Sequence, residues 1–139
     1  MKIMFITLAL AMSVSSSSEP DLDAVVAAPG NHRVLLENEQ VRVLQVEVAP
    51  GETENVHEHR WPSVLHIQSA QPAIDISYAV SDGTLVETGR TNLPGGAPPP
   101  AIWVARQGAH AVKNLGKAPF RLLRVELKQA VPNRSLPSR

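Results

Sequence analysis

Between residues 31 and 128, apolar and polar positions alternate in short runs. A period of two belongs to strands with one face buried. Val41–Val48 reads VRVLQVEV and is rich in β-branched residues, which suit a pleated, half-buried surface. The same reading predicts strands at His32–Leu36, Trp61–Gln68, Ala73–Val80, Leu85–Gly89, Ala101–Ala105, Gly108–Asn114 and Phe120–Lys128. Turn residues punctuate them: Pro50-Gly51, the hairpin signal Ser81-Asp82-Gly83-Thr84, and Leu115-Gly116-Lys117-Ala118-Pro119. Asn92–Pro100, NLPGGAPPP, is a loop, because three consecutive prolines cannot donate to a ladder. Beyond residue 18, no window of a dozen residues carries a helical stripe. The expectation is one all-β domain, a sandwich or barrel, over residues 31–129.

The two ends follow other rules. Met1–Met12, MKIMFITLALAM, has one Lys before an apolar run of about nine residues, and a Ser-rich stretch follows to Ser18. This is the layout of an export signal, and the apolar run is too short to span a bilayer. Residues 1–18 are therefore expected to be a signal peptide. The mature protein is expected to be exported, periplasmic or secreted, and not held in a membrane. Residues 19–30 form a lead-in segment closed by Pro29-Gly30, and residues 130–139 a frayed tail.

Composition narrows the chemistry. The 139 residues include no Cys, which excludes disulfides, thiolate metal ligands and a Cys nucleophile. Aromatic residues are only 4%, so the core must be mostly aliphatic. Net charge is zero, so no overall field draws in nucleic acid. Residues 106–139 nevertheless carry eight basic side chains and only one acidic one, Glu126. Phe120 is the one aromatic residue among them, too few for base stacking, so these are read as cross-strand partners of acidic strands.

Five histidines stand at 32, 57, 59, 66 and 110. In an extended segment residues i and i+2 share a face, so His57 and His59 can converge on one point. If the strand holding His110 crosses theirs inside a barrel, three imidazoles meet. Three neutral nitrogens with open positions suit one divalent ion of Fe, Mn, Ni, Zn or Cu. His66 lies seven residues beyond His59 and points to the opposite face of a continuous strand. His32, beside Arg33 at an N-terminal edge, is left outside the site.

Gly51, five further residues, and His57-Glu58-His59 resemble the first motif of the cupin superfamily. Gly108-Ala109-His110, three residues and Asn114 resemble the end of its second motif. The resemblance covers residues 31–128. It implies a cupin-type β-barrel, the double-stranded β-helix or jelly roll, with a metal held by His57, His59 and His110. Cupins with four protein ligands usually carry a Glu a few residues past the second His. Here Ser63 and Val64 stand at the candidate positions, which implies a three-His site. Ala105-Arg106-Gln107-Gly108 also replaces the usual Pro-x-Gly approach to the third His.

Side-chain parity supplies candidate lining residues: Trp61 and Ser63 on the face of His59, Gln45 on the second strand, and Trp103 before the second motif. Gln45 or Glu126 would support the site only if their faces look inward. Glu126 is otherwise read as an outer salt-bridge partner of Arg121, Arg124 or Lys128. The functional expectation is a metal-dependent oxygenase, isomerase or lyase acting on a small organic molecule. The alternative is a non-catalytic module binding a sugar or similar ligand. A homodimer paired through sheet edges is compatible with either.

Overall fold

The computed structural model describes residues 19–128, where the alternation becomes nine antiparallel strands and one helical turn. Residues 1–18, expected to be a signal peptide, and the expected tail lie outside the described residues. The strands are β1 (His32–Glu37), β2 (Val41–Val48), β3 (His57–His59), β4 (Ser63–Ser69), β5 (Ala73–Ser81), β6 (Thr84–Leu93), β7 (Ile102–Val104), β8 (Gln107–Asn114) and β9 (Phe120–Leu127). One sheet runs β1-β2-β9-β4-β7 and the other β3-β8-β5-β6. Every expected strand is present. The one expected at Trp61–Gln68 begins instead at Ser63, after a bend at Trp61-Pro62 that separates β3 from β4. At the β5–β6 turn, Asp82 and Gly83 both take positive φ, 49° and 73°. That pair gives the primed hairpin turn matching the right-handed twist of the flanking strands.

The lead-in contains a helical element the periodicity did not predict, α1 (Ala24–Ala27). It is a single turn, too short to show a stripe, and the Asp23 carboxylate caps it by accepting from the Val25 N–H. Val25 packs against the core cluster of Leu44, Val46, Leu65 and Leu122.

Register decides which side chains face inward. On β2 and β9 the paired positions Leu44↔Arg124, Val46↔Leu122 and Arg42↔Glu126 look into the barrel, and β4 adds Ser63 opposite Glu126. On β8 the inward residues are His110, Val112 and Asn114, opposite Ser77, Asp75 and Ala73 of β5. The interior is thus apolar where Phe120, Leu122, Val46 and Ile67 meet, and polar where β3 crosses. The basic C-terminal strand interleaves with acidic neighbours as expected: Arg121 pairs with Glu47 at 2.9 Å.

The Pro-rich connection from β6 to β7 packs tightly on the rest of the molecule. A Cβ on Gly95 would stand 2.6 Å from the backbone nitrogen of Pro72 and nearer still to its Cδ. Only glycine lets the loop approach so closely.

Candidate metal centre

β3 pairs with β8 so that His57 faces His110 directly. Their ring centroids are 4.5 Å apart, and His59 is 5.1 Å from His57 and 5.5 Å from His110. The three sequence-selected imidazoles therefore meet, and all are buried. A fourth joins them. His32 enters from β1, with its ring 4.4 Å from His57 and 5.3 Å from His59. Ring nitrogens of His32, His57 and His59 lie within 4.8 Å of one another. The structure thus corrects the placing of His32 outside the site. It is not at an exposed edge, because the lead-in covers β1 there and the residue is 4% exposed. His66 is exposed as expected, with Nδ1 against the Pro100 carbonyl.

Each imidazole is oriented by the partner of its Nδ1. Those partners are the Ala28 carbonyl for His32 (3.1 Å), the Asn55 carbonyl for His57 (2.8 Å) and the Gly108 carbonyl for His110 (2.9 Å). For His59 the partner is Glu126 Oε1 (2.7 Å). Carbonyl and carboxylate oxygens only accept, so every Nδ1 carries the proton and donates. Four Nε2 lone pairs are left without a proton, and the four rings gather at one end of the barrel. This is the arrangement of metal-ligating histidines, whose second nitrogen is anchored by an outer acceptor.

Electrostatics keep the rings neutral. Burial pushes His32 down to about 4 and His57 down to about 3, and it lowers His59 and His110 in the same sense. The buried Arg124 guanidinium adds repulsion against protonation of all four. Arg124 itself is lowered by burial to about 10 and stays charged at neutral pH. It donates to Ser63 Oγ (3.2 Å) and to Gln107 Oε1 (2.5 Å).

Glu54 supplies a carboxylate that sequence reading did not select. Its Oε2 accepts from the Val112 N–H, whereas Oε1 is buried without a hydrogen-bond partner among the described residues, 3.9 Å from His32 Nε2. Burial pushes this carboxyl up to about 7. A buried carboxylate oxygen with no donor, beside unprotonated imidazoles, fits a cation and is otherwise costly. The donor set of nitrogens plus one oxygen thus fits a divalent metal.

The expected lining is largely corrected. Gln45 faces away from the histidines, on the other side of β2, and its amide bonds to Gln68 and to the Leu122 carbonyl. Trp103 points outward and is 63% exposed, because Ile102 and Val104 take the inward positions of β7. Trp61, turned by the bend at Pro62, lies under the Arg42 guanidinium at 4.9 Å and Lys128 at 5.6 Å, away from the cavity. Ser63 is inward and fully buried, but it holds Arg124 rather than lining the wall. Glu126 is likewise not an outer residue. Its side chain is fully buried, with Oε2 accepting from Arg42 Nε at 2.5 Å. Arg42 in turn makes a bidentate pair with Asp23 (3.0 and 3.1 Å). A buried relay therefore runs from the capping residue of α1 to His59.

Beyond His110 and Arg124 a cavity of about 480 Å³ opens. Leu65, Ile67, Ile102, Val104 and Leu122 form its wall, and the Pro94–Pro99 stretch closes one side.

No family model matches this chain, and no curated protein matches its sequence. Solved structures do. A cupin domain from Bordetella pertussis is 20% identical, with a TM-score of 0.51 over 70% of this chain and 92% of that one. An RmlC-like cupin family protein with a double-stranded β-helix fold from Methanocaldococcus jannaschii is 12% identical, with a TM-score of 0.47 over 87% and 92%. A single-residue variant of oxalate decarboxylase from Bacillus subtilis is 21% identical, with a TM-score of 0.43 over 64% of this chain and 22% of that one. The fold is that of the cupins, a double-stranded β-helix with two antiparallel sheets. Within it stands a possible metal site of at least three histidines.

Proposed function

We propose that this protein binds one divalent metal ion through His57, His59 and His110, with His32 and Glu54 beside them, and acts on a small organic molecule held over that ion. The observation carrying this reading is the set of four imidazoles, each anchored through Nδ1 and each presenting an unprotonated Nε2 (Nδ1 contacts of 2.7 to 3.1 Å). Four unanchored histidines would have no reason to share one tautomer.

When bound, a divalent ion there would polarise an oxygen of the ligand and stabilise negative charge developing on it. The chain's own residues do the rest. Arg124 places a second positive charge at the junction of the histidine cluster and the cavity, held in direction by Ser63 and Gln107. The rest of the wall is mostly aliphatic and offers few polar groups to compete for those charges. These features support oxygenase, isomerase or lyase chemistry on an anionic substrate. They favour it over a sugar-binding module, which would need more polar groups than this wall supplies.

The leader-like Met1–Ser18 run supports export of the mature chain. The edge position of β1, with Val34, Leu35 and Leu36 exposed, supports pairing of two copies through that strand.

The test is elemental analysis of protein purified without a His-rich tag. Near one equivalent of a divalent metal is expected. It should be lost in the His57→Ala/His110→Ala double variant while the far-UV spectrum of the barrel is kept. Unchanged stoichiometry in that variant would overturn the site.

A further inference from the structure

The cavity beside the histidines has two polar ends, and only one is satisfied. Arg124 is 5% exposed and uses two of its five N–H donors on Ser63 and Gln107, so donors remain for a ligand. On the opposite sheet Asp75 of β5 faces inward beside Val112, and it lines the same cavity. Its Oδ1 is shielded from solvent and has no partner among the described residues. Asp75, His110 and Arg124 all line this one space.

A carboxylate oxygen shielded from solvent without a donor is unfavourable in an apolar cavity, and something must supply that donor. The wall's own amides do not: Gln71 donates to Ser69 Oγ, Gln107 is turned to Arg124, and the rest is mostly Leu, Ile, Val, Phe and Pro side chains, which cannot. Arg124 is directed elsewhere by Ser63 and Gln107, so the two charges do not quench each other. An opposed guanidinium and carboxylate complement a ligand that carries both charges itself.

We propose that the cavity takes a small amino-carboxylate, with its carboxylate on Arg124, its ammonium group donating to the Asp75 carboxylate, and its carbon skeleton against the aliphatic wall. This rests on the small-organic-acid reading above and adds the second charge. About 480 Å³ is ample for an amino acid and falls in the usual range of small-molecule sites. Asp75 is then a specificity-determining residue, and it rejects des-amino acids of the same shape because they leave its oxygen unpaired.

The experiment is calorimetric titration with matched pairs: each common α-amino acid, β-alanine and γ-aminobutyrate against its des-amino carboxylate, such as leucine against 4-methylpentanoate. At least one amino-carboxylate should bind about tenfold or more tightly than its partner, the scale of a charged hydrogen bond. The near-isosteric Asp75→Asn should remove that preference without changing the melting temperature by more than a few degrees. Arg124→Met should weaken both members of the pair. Equal binding within every pair overturns the proposal, as does a preference surviving Asp75→Asn, or no binding across the panel. Metal content is read on the same samples. Protein holding its metal but showing no amine preference sinks this proposal alone. Protein holding no metal sinks the metal reading, and the titration still tests Arg124 and Asp75, which need no ion to face each other.

Discussion

His59 and Glu126 are joined by a 2.7 Å contact from Nδ1 to Oε1, although 67 residues separate them in sequence. Neither side chain is more than 2% exposed. The carboxylate cannot swing away, because Arg42 holds its other oxygen and Asp23 holds Arg42. The pair fixes both the tautomer and the direction of the ring. Glu126→Gln keeps the volume but weakens the acceptor. It also leaves Arg42 with one carboxylate instead of two. Metal affinity should fall about ten- to a hundredfold, the usual effect of removing an outer partner of a ligating histidine. Competition against a chromophoric chelator measures this. Wild-type affinity in the variant would show that His59 does not depend on Glu126.

His32 gives a second expectation. Its ring is as near to His57 as His110 is, 4.4 against 4.5 Å. His32→Ala should lower metal affinity at least about tenfold, and the Cu²⁺-loaded protein should lose nitrogen hyperfine coupling by electron paramagnetic resonance. His66→Ala, on the outer face, should change neither. If His32→Ala leaves both readouts unaltered, His32 is a packing residue beside a three-His site.

Acid should destabilise the metal-free protein. An unfolded His32 gains a proton near pH 6.5, but the folded one only near 4. Between those values the unfolded chain binds more protons, so stability falls as pH drops through that window. His57, with a folded value of about 3, acts in the same sense, as do His59 and His110. Glu54 opposes them. Raised to about 7, it keeps a proton in the fold that the unfolded chain releases above about 4.5, and Glu126 is also raised. Four histidines outweigh two carboxyls. The loss for His32 alone is about 3 kcal/mol on full passage through its window. Urea midpoints in a chelator at about pH 7 and about pH 4.5, either side of most of that window, should fall with acid. An unchanged midpoint would mean that the buried histidines do not outweigh the two raised carboxyls.

The strand pattern was legible in the chain because parity is local. Val41–Val48 shows its alternation without help from any other segment, and the Asp82-Gly83 turn needs only its own backbone angles. His57 and His59 share a face for the same reason, and the glycine and histidine spacing marked His110 as their companion. What parity cannot say is which face looks inward. That depends on pairing partners far away in sequence. Parity alone puts Gln45 and Trp103 on the wrong side for this reason, and it misplaces Trp61 because a bend at Pro62 ends the extended phase. Glu126 reads as a surface ion-pair residue until β9 is seated between β2 and β4, which turns it onto His59 and Arg42. His32, Glu54 and Asp75 come from three separate elements or turns and carry no mutual spacing. Closing the two sheets into a barrel brings them to the histidine cluster and its cavity, because burial of the aliphatic faces leaves the polar side chains only the interior space between those sheets. The sequence by itself determined the strands, the turns and a pair of histidines on one face. The tertiary structure alone decided the fourth histidine, the carboxylates and the charged cavity, because long-range pairing, not local pattern, sets what an inward side chain meets.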